Sequence, residues 1–136
     1  MKYRRLKGYK YQLAEAYYHD LPGYFYGISE QTDYIILVNN RLMVKEGYAW
    51  DGPSGPTFDT KTFMRASLVH DALYQLMREG WLSRSYRGHA DRLLRDICLE
   101  DGMSRVRAGY VYRAVRWFAG GSVKPRIEKF NAIITI

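Results

Sequence analysis

An eight-residue stretch, Asp51-Gly52-Pro53-Ser54-Gly55-Pro56-Thr57-Phe58, divides the chain into halves of different pattern. Two glycines and two prolines in eight positions deny this stretch a helix or a strand, so it reads as a structured loop. The segment before it is rich in tyrosine and β-branched residues. The segment after it has apolar residues at helical spacing. Sheet and helices are therefore expected to be segregated rather than alternating.

The clearest strand signal is Tyr34 to Val38, then Asn39-Asn40, then Arg41 to Val44. Two apolar runs around Asn-Asn predict a β-hairpin with a tight turn. Tyr9 to Leu13 and Tyr24 to Ile28 read as further strands, with Leu21-Pro22-Gly23 as a break between them. Beyond the loop, Asp59 or Thr60 suits a helix N-cap. A helix is predicted from Lys61 to Glu79, with Phe63, Ala66, Ser67, His70, Leu73, Tyr74 and Met77 along one face and Gly80 as its stop. A second runs from Ser85 to Glu100, with Ala90, Asp91, Leu94, Ile97 and Cys98 on one face, and closes at Asp101-Gly102. A third starts near Ser104 and carries Val106, Tyr110, Val111, Ala114, Val115 and Phe118 before Gly120-Gly121.

The fold class is thus α+β: a small N-terminal antiparallel β-sheet with a hairpin, followed by three helices packed antiparallel. At 136 residues one domain is expected. Its parts are a β-rich segment over 1–50, the Gly/Pro loop over 51–60, a helical core over 61–121 and a C-terminal tail over 122–136. In the tail, Ile127 to Ile136 reads as a returning strand. Hydrophobic residues at 47% suffice for a core. The single cysteine, Cys98, excludes an internal disulfide and a multi-cysteine zinc site. No apolar run approaches the length of a membrane span and no signal peptide opens the chain, so the cytoplasm or an assembled particle is the expected location.

Two polar residues stand on apolar helix faces. His70 and Asp91 each need a hydrogen-bond partner if buried. A short connection at residues 80–84 makes the two helices antiparallel neighbours. At about 1.5 Å per residue, both side chains then lie within roughly one turn of the same level. A carboxylate on one imidazole nitrogen leaves the other as a base. A satisfied core histidine is the plain alternative. Asp71, about 100° round the helix, is expected to point away from that pair toward the Gly/Pro loop. A carboxylate beside exposed backbone carbonyls suits a hard cation such as calcium. Tyr74, one turn after His70, is placed to join the network.

Charge is uneven. The net charge is +7, of which residues 1–58 hold +1 and residues 59–136 hold +6. Such a surface suits phosphates or an acidic partner, while Arg105, Arg107, Arg113 and Arg116 read first as a solvated face.

The residues Trp50 to Pro56, Leu68 to Tyr74 and Ala90-Asp91 resemble the phospholipase A2 superfamily, over roughly residues 47–102. The shared pattern is His-Asp-x-x-Tyr on a long helix, an Asp on the antiparallel partner helix and a preceding Gly-rich loop. The chain is also similar, over nearly its whole length, to a phage and prophage family known as domain of unknown function 1353. The matching positions are Asp51, Ser54 and Pro56, then His70, Asp71 and Tyr74, then Arg87, Ala90 and Asp91, then Val115 to Phe118.

The phospholipase resemblance implies a phospholipase A2-like helical core and a set of roles. His70 would be the general base, Asp91 its orienting carboxylate and Tyr74 a support for Asp91. Asp71 would bind Ca2+ with the loop, through Asp51, Gly52 and Ser54. Pro53 has no N–H and is excluded as an oxyanion donor. The phage resemblance implies a structural or assembly protein, virion- or tail-associated, that meets other phage structural proteins through its tyrosine-rich sheet. The alternative is a calcium-dependent phospholipase or esterase acting on anionic phospholipid. A third reading, a basic nucleic-acid-binding module, has no reader motif behind it.

Overall fold

The computed structural model describes residues 1–7, 11–51 and 61–124. Among the described residues, seven short strands precede three helices, as expected for the α+β class. The strands are β1 (Tyr3–Arg5), β2 (Tyr11–Leu13), β3 (Tyr17–Asp20), β4 (Ser29–Gln31), β5 (Ile35–Val38), β6 (Arg41–Val44) and β7 (Ala49–Trp50). They form two antiparallel sheets, one in the order β1-β2-β7 and one in the order β3-β6-β5-β4.

The hairpin expected around Asn39-Asn40 is β5–β6, with Val38 opposite Arg41 and Ile35 opposite Val44. Both asparagines take positive φ, 45° and 69°. That is the left-handed pair a two-residue hairpin turn needs, and Asn tolerates it better than most residues. Alternation then sends Ile35, Leu37, Leu42 and Val44 into the core.

The strand expected over Tyr24 to Ile28 is absent. A 3-10 turn occupies Gly23–Phe25, and Gly27 sits at φ 85°, which ends any extended run. This turn buries Phe25 while Tyr24 and Tyr26 stay exposed. Of the expected strand from Tyr9, the part from Tyr11 to Leu13 is β2, and Tyr9 lies outside the described residues. So do the N-cap candidates Asp59 and Thr60, and the tail from residue 125 with its expected strand.

The helices are α1 (Lys61–Arg78), α2 (Arg87–Glu100) and α3 (Arg105–Phe118). Ser85 lies in a 3-10 turn over Arg84–Tyr86, so α2 proper starts two residues later than expected. Both α1 and α2 end on a left-handed glycine. After α1, Gly80 N–H bonds Met77 C=O and Trp81 N–H bonds Leu76 C=O. After α2, Gly102 N–H bonds Leu99 C=O and Met103 N–H bonds Cys98 C=O. These paired bonds satisfy the last carbonyls of each helix and turn the chain sharply back. Ser104 caps α3, its hydroxyl accepting from Arg107 N–H.

α1 is buried on nearly every side, as the element shared by one hydrophobic core that also takes in the sheets and α2. α3 differs from expectation. Its buried residues are Ala108 and Val111, with Val115 packed at the edge, while Val106, Tyr110 and Phe118 face outward. The tight α2–α3 turn buries Met103, and small Ala108 allows close approach to the core; together they set the roll of α3. The apolar residues on its other side are left outside.

Candidate active site

The antiparallel packing of α1 on α2 brings together the polar residues stranded on their apolar faces. His70 Nε2 lies 2.8 Å from Asp91 Oδ1, and the Asp91 side chain has no solvent exposure. Tyr74, one turn after His70, donates its hydroxyl to the same oxygen at 2.5 Å. Its ring leans against the imidazole with centroids 4.0 Å apart. The contact expected among His70, Asp91 and Tyr74 is present in the geometry.

Two further partners are arginines, one expected on a solvated face and one with no expected role in the network. Arg116, in the last turn of α3, donates from Nη1 to Asp91 Oδ2 at 2.8 Å. It is therefore not simply part of a solvated face. Arg87, one turn before Asp91 on α2, places Nε 3.8 Å from Asp91 Oδ2 and donates to the Tyr74 oxygen at 3.1 Å. Its Nη2 donates to the carbonyls of Val115 and Arg116 at 2.7 and 2.8 Å. Those carbonyls belong to the last turn of α3, where helix carbonyls need partners from outside the helix; Val115 C=O also accepts from Ala119 N–H. Gly120 leaves the space for this guanidinium: a Cβ there would meet Arg87 Nη1 at 3.3 Å.

Arg116 was open to the same arithmetic as the histidine pair. Asp91 lies about 10 residues before the α2–α3 turn and Arg116 about 12 after it, a difference of roughly 3 Å in level. Arg87 was legible as the i−4 neighbour of Asp91.

The electrostatics follow from these contacts. Burial raises the Asp91 pKa, and the hydrogen bonds from His70, Tyr74 and Arg116 outweigh it, so Asp91 is held below the usual carboxylate range. Burial works against a charged His70, and the carboxylates of Asp71 and Asp91 outweigh that, so its pKa is raised. Burial and the adjacent Asp91 carboxylate push the Tyr74 phenol far up, and it stays protonated. An ionised Asp91 only accepts, so Nε2 of His70 carries a hydrogen, and in the neutral imidazole Nδ1 keeps the lone pair.

Asp71 does not point clear of the histidine, as its place on the helix suggested. Its Oδ1 lies 3.9 Å from His70 Nδ1, on the side opposite Asp91. That separation is too long for a direct hydrogen bond, so the lone pair is left available. Burial raises the Asp71 pKa; His70 opposes this, and the nearby Asp51 carboxylate adds to it. Asp51 and Asp71 are thus close enough to repel. Gly52 and Ser54, the other expected calcium ligands, lie outside the described residues. Among the described residues no group of three His, Cys, Asp or Glu side chains is arranged to hold a metal. Also among them, no helix is long and apolar enough to cross a membrane.

A family model described as a protein of unknown function (DUF1353) matches residues 26–115. The match takes in His70, Asp71, Tyr74, Arg87 and Asp91 and stops one residue short of Arg116. No curated protein and no solved structure matches the chain.

Proposed function

The chain belongs to the DUF1353 family, and we propose that its His70–Asp91 pair activates water for hydrolysis of an ester bond. One observation carries this reading. His70 gives one ring nitrogen to a buried carboxylate at 2.8 Å, and its other nitrogen faces away from that carboxylate, beside Asp71. In the reaction, Nδ1 takes a proton from water as the water oxygen bonds to the ester carbonyl carbon. Asp91 stabilises the imidazolium that forms, and Tyr74 holds Asp91 in place. The tetrahedral intermediate collapses with cleavage of the ester C–O bond. The imidazolium then returns its proton to the leaving alkoxide, which departs as the alcohol. The His-Asp-x-x-Tyr resemblance favours a phospholipid as the ester.

Ca2+ fits the hard oxygens at the site's edge. Asp71 and Asp51 are the described side chains that would hold it, and their mutual repulsion is the kind a cation relieves. When bound it would polarise the ester carbonyl.

The test is hydrolysis of anionic phospholipid vesicles and of a short-chain soluble ester by the purified full chain, with and without calcium. His70→Gln is expected to lower the rate by about 10²–10⁴-fold, the range for a lost general base. An unchanged rate in His70→Gln would sink the reading. Calcium is checked separately: a cation that binds only the folded form raises the melting temperature by mass action.

A second reading is favoured by Arg116 and Arg87. They tie Asp91 and Tyr74 to α3, so the same residues cross-link three helices. On that reading the protein is a phage structural or assembly component, and the network serves stability. His70→Gln would then lower the melting temperature, calcium would not shift it, and neither ester would be hydrolysed by the parent chain.

A further inference from the structure

We propose that the outer face of α3 docks on an anionic phospholipid bilayer. The inference rests on α3 alone and does not require His70 to be catalytic.

α3 has two apolar sides. Ala108, Val111 and Val115 meet the core. Opposite them, Val106, Tyr110, Arg113 and Trp117 recur at spacings of four, three and four, which puts them in one line about 16 Å long. Val106 is 86% exposed, Tyr110 58% and Trp117 74%, and Phe118 beside the end of the line is 83% exposed. Isolated exposed apolar residues need no explanation, but three of them aligned on one helix face, with Phe118 beside them, do.

Charge selects the occupant. α3 carries Arg105, Arg107 and Arg113 and no acidic residue, while its fourth arginine, Arg116, is held inward by Asp91. A second copy laid on this face would set two such helices against each other, with Arg113 inside the seam of both, and like charges disfavour that. An anionic surface is complementary instead. The stripe is also the convex outside of a helix. Insertion of one helix face among lipid headgroups requires no matching pocket, whereas a protein partner does. Tyr and Trp suit that boundary because each joins an apolar ring to a polar edge. Arg113, within the line itself, has a stem long enough to lie on apolar surface while its head reaches phosphate.

The experiment is co-sedimentation of the full chain with vesicles of phosphatidylcholine alone and of phosphatidylcholine with phosphatidylglycerol. Binding only to the anionic vesicles is expected. Val106→Glu and Tyr110→Glu, both at exposed positions, are each expected to weaken it about tenfold. His70→Gln should bind like the parent, which separates docking from catalysis. In a Trp81→Phe background Trp50 is buried, so a blue shift of emission on adding anionic vesicles reports Trp117 entering lipid. The proposal is overturned by equal pelleting of parent and both glutamate variants, or by absence of pelleting with anionic vesicles at low salt. It is also overturned if the face instead carries a dimer that buries Trp117, or retains duplex DNA without pelleting on vesicles.

Discussion

The seam between α1 and α2 and the outer face of α3 break the usual rule of burial in opposite directions. The seam takes a carboxylate, an imidazole and a phenol out of water. The α3 face puts a valine and three aromatics into it. The buried carboxylate of the seam is fully partnered within the chain. Asp91 accepts from His70, Tyr74 and Arg116, with Arg87 close by, so the cost of burying its charge is met by local donors. The outer face of α3 has no such completion among the described residues. A buried polar cluster that satisfies itself is explained by the fold. An exposed apolar stripe is explained by something outside it.

The largest test of that contrast is Asp91→Leu. It would leave Arg116 and the His70–Tyr74 pair facing an apolar side chain, and a loss of about 3–5 kcal/mol in urea unfolding is expected. A loss under about 1 kcal/mol would mean that the seam is solvated and that its residues are not a closed set.

Acid titration should give a smaller effect of defined sign. The folded pKa of Asp91 lies below the ordinary 3.8. Its contribution is therefore fully present above that value and is lost as pH falls through the folded pKa. The urea midpoint of the parent should drop steeply below about pH 4. In Asp91→Asn that drop should be shallower. Equal slopes would place the acid sensitivity elsewhere.

The smallest effect is expected on the other side of the comparison. Trp117→Gln should change stability by no more than about 0.5 kcal/mol, as for other exposed positions. A loss several times larger in thermal or urea unfolding would show that the α3 stripe packs against the chain itself.

Much of the helical half was legible because it is long and periodic. His70 and Asp91 stood out as polar residues on apolar faces, and a short connection sufficed to set them level. The hairpin was legible because Asn39-Asn40 states its own turn type. The roll of α3 was not legible, and the reason is specific. Val106, Tyr110 and Trp117 make one apolar line; Ala108, Val111 and Val115 make another. Periodicity cannot choose between two good faces, and the expected set mixes them, taking Val106 and Tyr110 together with Val111 and Val115. The choice is made by the buried Met103 turn and Ala108, and it is locked by contacts far apart in sequence, Arg116 with Asp91 and Arg87 with the end of α3. Strands such as β7, two residues long, are too short for alternation to register.

The bond from Arg87 to the Tyr74 oxygen has a consequence for where protons can sit. A guanidinium only donates, so the Tyr74 oxygen receives at that point and its own hydrogen must leave toward Asp91. Asp91 can then only receive, and the hydrogen between it and His70 must start on Nε2. The chain Arg87, Tyr74, Asp91, His70 therefore has one permitted sense of donation and no hydroxyl left free to rotate. The imidazole is handed a single tautomer by an arginine that never touches it.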